Sequence, residues 1–282
     1  MTARILHGRP IADAIQARSL ERSAALQARR VTPRLAIVSV GIDPAASAYA
    51  GRLRRGATSI GATIDKVVLA RDTTEVALAA ALVRLGRDPK VHGILLLTPL
   101  PSPLDEAHIV DHIAIAKDVE GMNPFSMGLL ADGRPQFIPS TAEAIVEMLK
   151  FYAVPLHGAH VVILGRSTVI GRPVASLLLE EDATVTIAHS QTVNVGELTR
   201  AADIVVIGVG RAGLVTGAML RPGAIVIDAG INVTPDGIVG DADAKSVSAV
   251  AGAFSPVPGG LGAVTTALLL RNLLTATEGQ LG

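Results

Sequence analysis

Short aliphatic runs alternate with longer amphipathic stretches along this chain, and this alternation limits its fold more than any other feature. The amphipathic stretches are predicted helices, at residues 11–30, 45–56, 74–85 and 141–151. The aliphatic runs are predicted strands, at residues 35–40, 64–69, 93–97, 159–164, 184–187, 204–207 and 224–227. Because continuous apolar strands separated by helices are typical of parallel sheets buried on both faces, the predicted fold class is α/β.

A polar break at residues 132–139 divides this pattern into two domains. Ser140, with Glu143 three residues later, is predicted to form a capping box at the start of the next helix. The length of 282 residues also suits two domains of about 150 residues each. We expect a first α/β domain at residues 1–139, a second at 140–261, and a final helix within 262–282 that packs back on the first.

The composition excludes several classes of function. The 25 basic and 25 acidic residues give a formal net charge of zero, which argues against a nucleic-acid partner. The absence of cysteine removes disulfides, thiolate nucleophiles and iron–sulfur clusters. The seven histidines form no compact metal-ligand motif. Since no apolar run reaches the ~20 residues of a membrane helix and no secretory leader is present, we expect a cytoplasmic protein without metal or membrane partners.

The first candidate binding site follows the fourth predicted strand. Gly165, Arg166 and Ser167 begin a turn that extends to Ile170, and Pro173 suits the first turn of the next helix. Such a junction aims helix N–H groups at an anion such as a phosphate. The Gly-x5-Gly spacing is not the dinucleotide fingerprint, so this segment taken alone fits an ordinary strand–turn–helix junction equally well.

Three further strand ends in the same predicted domain carry polar or small residues. They are Ser190, the pair Gly208 and Gly210, and the pair Gly230 and Ile231. In a doubly wound sheet the ligand lies at the carboxyl ends of the strands, and glycines there let backbone approach a flat ligand. The second strand of this domain, at residues 184–187, is followed by no acidic residue before Glu197. Arg166 and Ser190 are therefore predicted to hold a 2′-phosphate. The predicted cofactor is NADP, with NAD as the alternative.

Motifs in a fixed order then extend over the whole chain. In the second half they occupy residues 162–167, 189–192, 221–232, 239–241 and 256–262. In the first half they occupy residues 93–95, 99–101, 117–121 and 123–124. By these motifs the chain resembles the methylenetetrahydrofolate dehydrogenase/cyclohydrolase (FolD-type) family.

The resemblance implies a Rossmann-like nucleotide domain at residues 140–261, a substrate domain at 1–139, and a cleft between them. It implies oxidation of 5,10-methylenetetrahydrofolate with NADP and, in most members, hydrolysis of the methenyl product to 10-formyltetrahydrofolate. It also implies a homodimer paired through the nucleotide domain. The family's motifs assign catalysis to Tyr49 and Glu120, and they assign substrate contacts to Tyr49, Pro99, Leu100, Glu120, Pro258, Gly259 and Gly260.

Two positions that matter for hydrolysis of the methenyl product differ from the family's pattern. The family carries a lysine four residues after its tyrosine and a glutamine two residues before its first proline, and here these positions are Leu53 and Leu97. The second aspartate of its Lys-Asp-Val-Asp-Gly motif is Glu120 here. Hydride transfer depends mainly on positioning, whereas hydrolysis needs activated water and proton transfer. Because leucine can supply neither, we expect a dehydrogenase whose cyclohydrolase activity is weak or lost.

Other interpretations stay open on the sequence. Arg52 and Arg54 are expected to point well away from the helix face of Tyr49, because an α-helix turns 100° per residue. A permanently protonated guanidinium is also a poor proton shuttle. The alternatives are an ordinary bifunctional enzyme with relocated catalytic groups, a nucleotide-binding paralogue without catalysis, and a dehydrogenase acting on another one-carbon carrier.

Overall fold

The computed structural model describes residues 2–41 and 44–281, without the side chains of residues 44–48. Its strands are β1 (Arg4–Ile5), β2 (Arg34–Val40), β3 (Thr63–Leu69), β4 (Gly93–Leu96), β5 (His160–Leu164), β6 (Thr184–Ala188), β7 (Ile204–Ile207), β8 (Ile225–Asp228), β9 (Asn232–Thr234), β10 (Gly237–Val239) and β11 (Ala253–Ser255). Its helices are α1 (Arg9–Ala28), α2 (Pro44–Ser59), α3 (Glu75–Arg87), α4 (Glu106–Ile109), α5 (Pro124–Ala131), α6 (Ser140–Phe151), α7 (Gly171–Leu179), α8 (Val195–Ala201), α9 (Ala244–Val250) and α10 (Leu261–Gly279).

The chain forms two compact units, each built from two separate segments. The six-stranded unit contains Met1–Asp13 and Pro139–Thr265, and the three-stranded unit contains Ala14–Ile138 and Thr266–Gly282. This division differs from the expected one at the start of the chain, because β1 pairs in parallel with β11 and so belongs to the six-stranded unit. A strand of two residues is too short to carry a hydrophobic pattern, which is why the sequence did not predict it.

The six-stranded sheet has the order β1-β11-β8-β7-β5-β6 and is parallel throughout. The chain leaves β5 to form β6 on one side of it and then returns to form β7 on the other side. This reversal makes the carboxyl ends of β5 and β7 the switch point, where open α/β sheets bind their ligands. A separate antiparallel hairpin of β9 and β10 follows β8.

Burial follows position within the sheet. All four residues of the central strand β7 are buried, whereas the edge strand β6 is half exposed. The expectation that every strand is buried on both faces is therefore wrong for the edge strands β1, β3 and β6, whereas the edge strand β4 is buried throughout. An edge strand has a partner on one side only, so its outer part meets solvent unless another element covers it.

The three-stranded sheet has the order β3-β2-β4, again parallel. Alternate residues of β2 and β4 face opposite sides, and each side is covered by helices. One side is the Leu53 cluster, which consists of Leu26, Leu35, Ile37, Ala50, Leu53, Ala57, Ile60, Ala62, Leu95, Val119, Phe137, Leu269, Leu270, Leu273, Leu274 and Ala276. The other side packs Ala36, Val38, Ile94 and Leu96 against Leu78, Leu82 and Leu85 of α3. The helix α10 thus completes the core of this unit.

The start of α6 differs from the predicted capping box. The N-cap residue is Pro139, whose side chain makes no capping hydrogen bond, and Ser140 is the first helical residue. Ser140 is 1% exposed, so the helix begins with a buried residue. Across the described part of the chain, no helix is both long and apolar enough to cross a membrane.

A buried histidine joins two strands of the three-stranded unit. His92 precedes β4, and its Nδ1 accepts a hydrogen bond from the backbone N–H of Arg34 at 3.1 Å. Burial lowers the pKa of His92 below its ordinary value of 6.5, and the positive charges of Lys117 and Arg34 lower it further. Lys117 is itself buried, and its Nζ donates to the carbonyl oxygens of Asp88 at 2.7 Å and Leu85 at 3.3 Å.

This arrangement predicts a loss of stability in mild acid. Below pH 6.5 the unfolded chain binds a proton at His92 that the folded chain still refuses. The unfolding free energy therefore falls as the pH drops from 6.5 to the lowered folded-state pKa, by up to about 1.4 kcal/mol per pH unit. Above pH 6.5 this residue contributes no pH dependence.

Thermal denaturation between pH 5 and 8 measures this effect. We expect His92→Asn, which retains an acceptor near the Nδ1 position, to flatten the acid limb of the profile. His112→Asn, at an exposed position of the same unit, is the control. Parallel profiles for the wild type and His92→Asn would contradict the assignment.

Candidate functional site

The turns that follow β5 and β7 meet at the switch point. Gly165 follows β5 with a φ of +118°, and a Cβ on it would lie 2.4 Å from the carbonyl oxygen of Gly208. The backbone N–H of Gly208 donates to the carbonyl oxygen of Leu164 at 2.9 Å. No L-residue with a side chain fits the φ and the spacing at position 165, so glycine is what allows these turns to touch.

The N-terminus of α7 is held against the same turn. Ser167 Oγ accepts a hydrogen bond from the backbone N–H of Ile170 at 3.1 Å. A Cβ on Gly171 would lie 2.1 Å from the carbonyl oxygen of Gly165, so the helix starts directly beside the turn. The result is a helix N-terminus at the carboxyl end of β5, which is the arrangement that binds phosphate groups.

Arg166 and Ser190 lie on turns that follow neighbouring strands. Leu164 at the end of β5 pairs with Ala188 at the end of β6, and both Arg166 and Ser190 are exposed. Between β6 and Ser190, the backbone N–H of His189 donates to Thr192 Oγ1 at 2.9 Å, which fixes the turn. The two residues predicted to hold a 2′-phosphate are thus on the same edge of the sheet and open to solvent.

The glycines at these strand ends have a different role from the expected one of letting the backbone approach a flat ligand. The Cβ directions of Gly165, Gly208 and Gly230 meet neighbouring protein atoms at 2.4, 3.2 and 2.2 Å, respectively. They make room for adjacent turns and for a carboxyl group rather than for a flat ligand. Gly210 has a φ of +66° with open space beyond, and Ile231 is 65% exposed.

Two buried aspartates hold these turns, and sequence reasoning gave them no role. Asp228 ends β8, Asp241 follows the hairpin, and both are at most 1% exposed. Their carboxylates accept hydrogen bonds from the backbone of the turns after β7 and β8. The sequence did contain a signal for this role, because each aspartate stands close to a glycine, Asp228 near Gly230 and Asp241 next to Gly240. A carboxylate buried at such a position needs several hydrogen-bond donors.

The predicted substrate side contains Tyr49, Leu53 and Leu97, and the structure places all three in or against the Leu53 cluster. Leu53 is 0% exposed within the Leu53 cluster, and the half-buried side chains of Tyr49 and Leu97 pack against that cluster. The apolar stripe of α2, with Ala50 and Ala57 beside Leu53, faces the sheet. Position 53 is therefore a core position of the three-stranded unit.

Arg52 does not lie where the sequence placed it. Its Cζ is 5.6 Å from the centroid of the Tyr49 ring, in a cation–π contact. Residues three apart are neighbours on a helix surface, and the long arginine side chain folds back over the ring. The expectation that Arg52 points well away from Tyr49 is wrong.

The half-buried Glu120 follows a tightly bonded segment. Asp118 is buried, its Oδ1 accepts from the backbone N–H of Met122 at 3.0 Å, and its Oδ2 accepts from Asn123 N–H at 2.9 Å and Ser126 Oγ–H at 2.7 Å. Burial raises the pKa of the Asp118 carboxyl, and these hydrogen bonds oppose the rise. Asp118 thus fixes the backbone that carries Glu120.

The remaining predicted residues lie on two loops. Pro99 is exposed, and Leu100 packs against the α3 side of the three-stranded sheet. Pro258 and Gly259 are exposed in the six-stranded unit, where the carbonyl oxygen of Gly259 accepts from the backbone N–H of Gly8 at 3.0 Å. Gly260 is buried, and a Cβ on it would lie 2.6 Å from the carbonyl oxygen of Pro256.

Within residues 2–41 and 44–281, no group of three or more histidine, aspartate or glutamate side chains is placed to hold a metal ion.

Comparisons with known proteins agree with this architecture. Residues 6–120 match the tetrahydrofolate dehydrogenase/cyclohydrolase catalytic domain, and residues 139–281 match its NAD(P)-binding domain. The chain is 46% identical over 278 residues to the bifunctional protein FolD of Nocardia farcinica, covering 98% of each chain.

Two solved structures are similar over almost the whole chain. The bifunctional FolD of Campylobacter jejuni superposes with a TM-score of 0.94 at 33% identity, covering 98% of this chain and 99% of that one. The FolD of Trypanosoma brucei, solved with NADP and an inhibitor, superposes with a TM-score of 0.94 at 34% identity, covering 100% and 99%. The chain belongs to the tetrahydrofolate dehydrogenase/cyclohydrolase family.

Proposed function

We propose that this protein is an NADP-dependent 5,10-methylenetetrahydrofolate dehydrogenase with weak or no cyclohydrolase activity. One observation carries the proposal: position 53, one helical turn after Tyr49, is a leucine fully buried in an apolar cluster. The family's motif has a lysine at this position, and Leu97 stands at the position of its glutamine. The two polar groups that hydrolysis needs are thus replaced by hydrocarbon.

The six-stranded unit supports the cofactor part of the proposal. The contact between Gly165 and Gly208, and the start of α7 beside it, form a cradle at the switch point where a pyrophosphate fits. Arg166 and Ser190 are assigned to the 2′-phosphate, and Ile170, Gly210 and Ile231 line the same edge. When bound, NADP supplies the hydride acceptor.

The three-stranded unit supports the substrate part. Tyr49 and Glu120 are assigned to positioning and charge contacts with the folate, and Pro99 and Leu100 to its binding loop. Pro258, Gly259 and Gly260 of the six-stranded unit are assigned to the substrate as well. The side chains of Leu53 and Leu97 can neither donate nor accept a proton, so neither of them can activate water. The guanidinium of Arg52 lies over the ring of Tyr49. Because the guanidinium stays protonated, it cannot relay a proton.

A coupled absorbance assay tests the missing second reaction. Supplied with methylenetetrahydrofolate and NADP, the wild-type protein should accumulate the methenyl product. That product should then decay no faster than it does in buffer alone. Catalysed conversion to 10-formyltetrahydrofolate would instead establish the ordinary bifunctional activity that the relatives' names describe.

Restoring the two polar groups should restore hydrolysis. We expect Leu53→Lys combined with Leu97→Gln to hydrolyse the methenyl product, since a lysine in this apolar setting has a lowered pKa suited to proton transfer. Circular dichroism and the dehydrogenase rate report whether the double variant folds. Leu97→Gln alone, at the half-buried position, is the matched control and should hydrolyse little.

The choice of cofactor depends on Arg166 under this proposal. Arg166→Leu should raise the KM for NADP about 10- to 100-fold, because a charged hydrogen bond to the 2′-phosphate is lost. The KM for NAD, which has no such phosphate, should stay nearly constant. Arg200→Leu, in the last turn of α8, is the control. Equal effects on both cofactors would contradict the assignment.

We also propose a homodimer formed through the six-stranded unit. The edge strand β6 has β5 as its sheet partner and exposes Ile187. Leu179, which ends the helix before β6, and Val193, which follows β6 in the chain, are 59% and 79% exposed. An open strand edge beside apolar side chains favours pairing with a second copy.

Sedimentation velocity tests this dimer. The wild type should sediment with the mass of two chains, and Ile187→Asp should shift it to the monomer. Val68→Asp, on the exposed edge strand β3 of the three-stranded unit, is the control and should leave the dimer intact. A monomeric wild type would overturn the proposal.

A further inference from the structure

The carboxylate of Asp241 lies where two turns of the six-stranded unit converge. Its Oδ2 accepts hydrogen bonds from the backbone N–H of Val209 at 2.7 Å and of Gly210 at 2.9 Å. Its Oδ1 accepts from the backbone N–H of Arg211 at 2.8 Å and from Asn232 Nδ2 at 2.8 Å. One fully buried side chain therefore binds the turn after β7 and the start of β9, which follows the turn after β8.

A second carboxylate holds Asp241 in place. Asp228 Oδ1 accepts from the backbone N–H of Gly230 at 2.9 Å and of Asp241 at 3.1 Å, and its Oδ2 accepts from Ala242 N–H at 2.9 Å. Both carboxylates need glycine beside them. A Cβ on Gly230 would lie 2.2 Å from Asp241 Cγ, and a Cβ on Gly240 would lie 2.0 Å from Asp228 Oδ2.

Three successive N–H groups, of residues 209–211, point at Asp241. Such a run of backbone donors forms a nest that binds an anion. Here the protein's own carboxylate fills the nest, so the turn after β7 does not offer these donors to a cofactor phosphate. The phosphate-binding features remain those of β5 and α7, and the turns after β7 and β8 are left to contact an uncharged or cationic part of the ligand.

The strand order indicates which part that is. The ends of β5 and β6 carry Arg166 and Ser190, the residues assigned to the adenosine side. The strands β7 and β8 lie on the other side of β5, and a dinucleotide bound across a switch point extends to both sides.

We propose that Asp241 is a positioning residue for the nicotinamide half of the cofactor. It sets the separation of the turns after β7 and β8, which form the wall for that half. The inference rests on the proposed NADP site. It adds a division of that site, in which the ends of β5 and β6 bind the adenosine half and the ends of β7 and β8 bind the nicotinamide half.

Calorimetric titration of Asp241→Asn with NADP and with adenosine 2′,5′-bisphosphate tests this division. The asparagine retains the size of the side chain but turns an NH₂ group toward backbone donors. We expect affinity for NADP to fall about tenfold or more, because charged hydrogen bonds that fix the turns are lost. Affinity for the bisphosphate, which lacks the nicotinamide half, should stay within about twofold, and the KM for the folate should change little.

Three further variants separate positioning from general loss of structure. Arg166→Leu should weaken both ligands, since it acts on the half that they share. Asp118→Asn, which alters a buried carboxylate of the three-stranded unit, should lower thermal stability and leave NADP affinity unchanged. Asn232→Ala removes one of the four donors to Asp241, and should weaken NADP severalfold even where Asp241→Asn does not fold.

Equal losses of NADP and bisphosphate affinity in Asp241→Asn or Asn232→Ala would overturn the proposal, as would unchanged NADP affinity in both. A wild-type protein that binds the bisphosphate but not NADP would overturn it too, while leaving the adenosine assignment intact. A wild type that binds neither ligand would overturn the proposed cofactor itself.

Discussion

The contact between the turns after β5 and β7 is the constraint on which the carboxyl edge of the six-stranded sheet depends. With Gly165 at a φ of +118° and its Cβ direction 2.4 Å from the carbonyl oxygen of Gly208, the two turns touch backbone to backbone. The start of α7 lies beside the end of β5, against the same turn. The backbone N–H groups of the turn after β7 donate to the buried carboxylate of Asp241. The geometry of the edge is thus fixed by glycines and carboxylates that sit behind it.

The substrate side depends on a different principle. Ala50, Leu53 and Ala57 form the buried stripe of α2, and this stripe joins the core of the three-stranded unit. A polar group at position 53 would lie in hydrocarbon, where a charge is costly and its pKa moves strongly. Leucine at this position adds to the stability of the core. Under the proposed function, a stable core and a proton-transfer group at position 53 are therefore alternatives.

The α/β class, the seven long strands and the family were predictable because hydrophobic period and ordered motifs are local properties of sequence. The strands β1, β9, β10 and β11 were not, because strands of two or three residues are fixed by their partners rather than by their own pattern. The position of Arg52 was missed because helix angles describe Cβ directions and not the reach of a long side chain. The roles of Asp228 and Asp241 depend on contacts between segments far apart in the chain, which one sequence does not display. The site residues assigned by family resemblance remain predictions.

Each unit is assembled from two separated segments, and this affects how the chain is made. Residues 14–138 leave the ribosome long before Leu269, Leu270 and Leu273, which close the Leu53 cluster. Until then that face of the sheet and of α2 exposes apolar surface, which is prone to aggregate. Likewise, β1 within residues 1–13 has no strand to pair with until β11 has been synthesised. Synthesis must therefore be nearly complete before either unit can close, and a fragment cut at the boundary near residue 139 should yield neither unit intact.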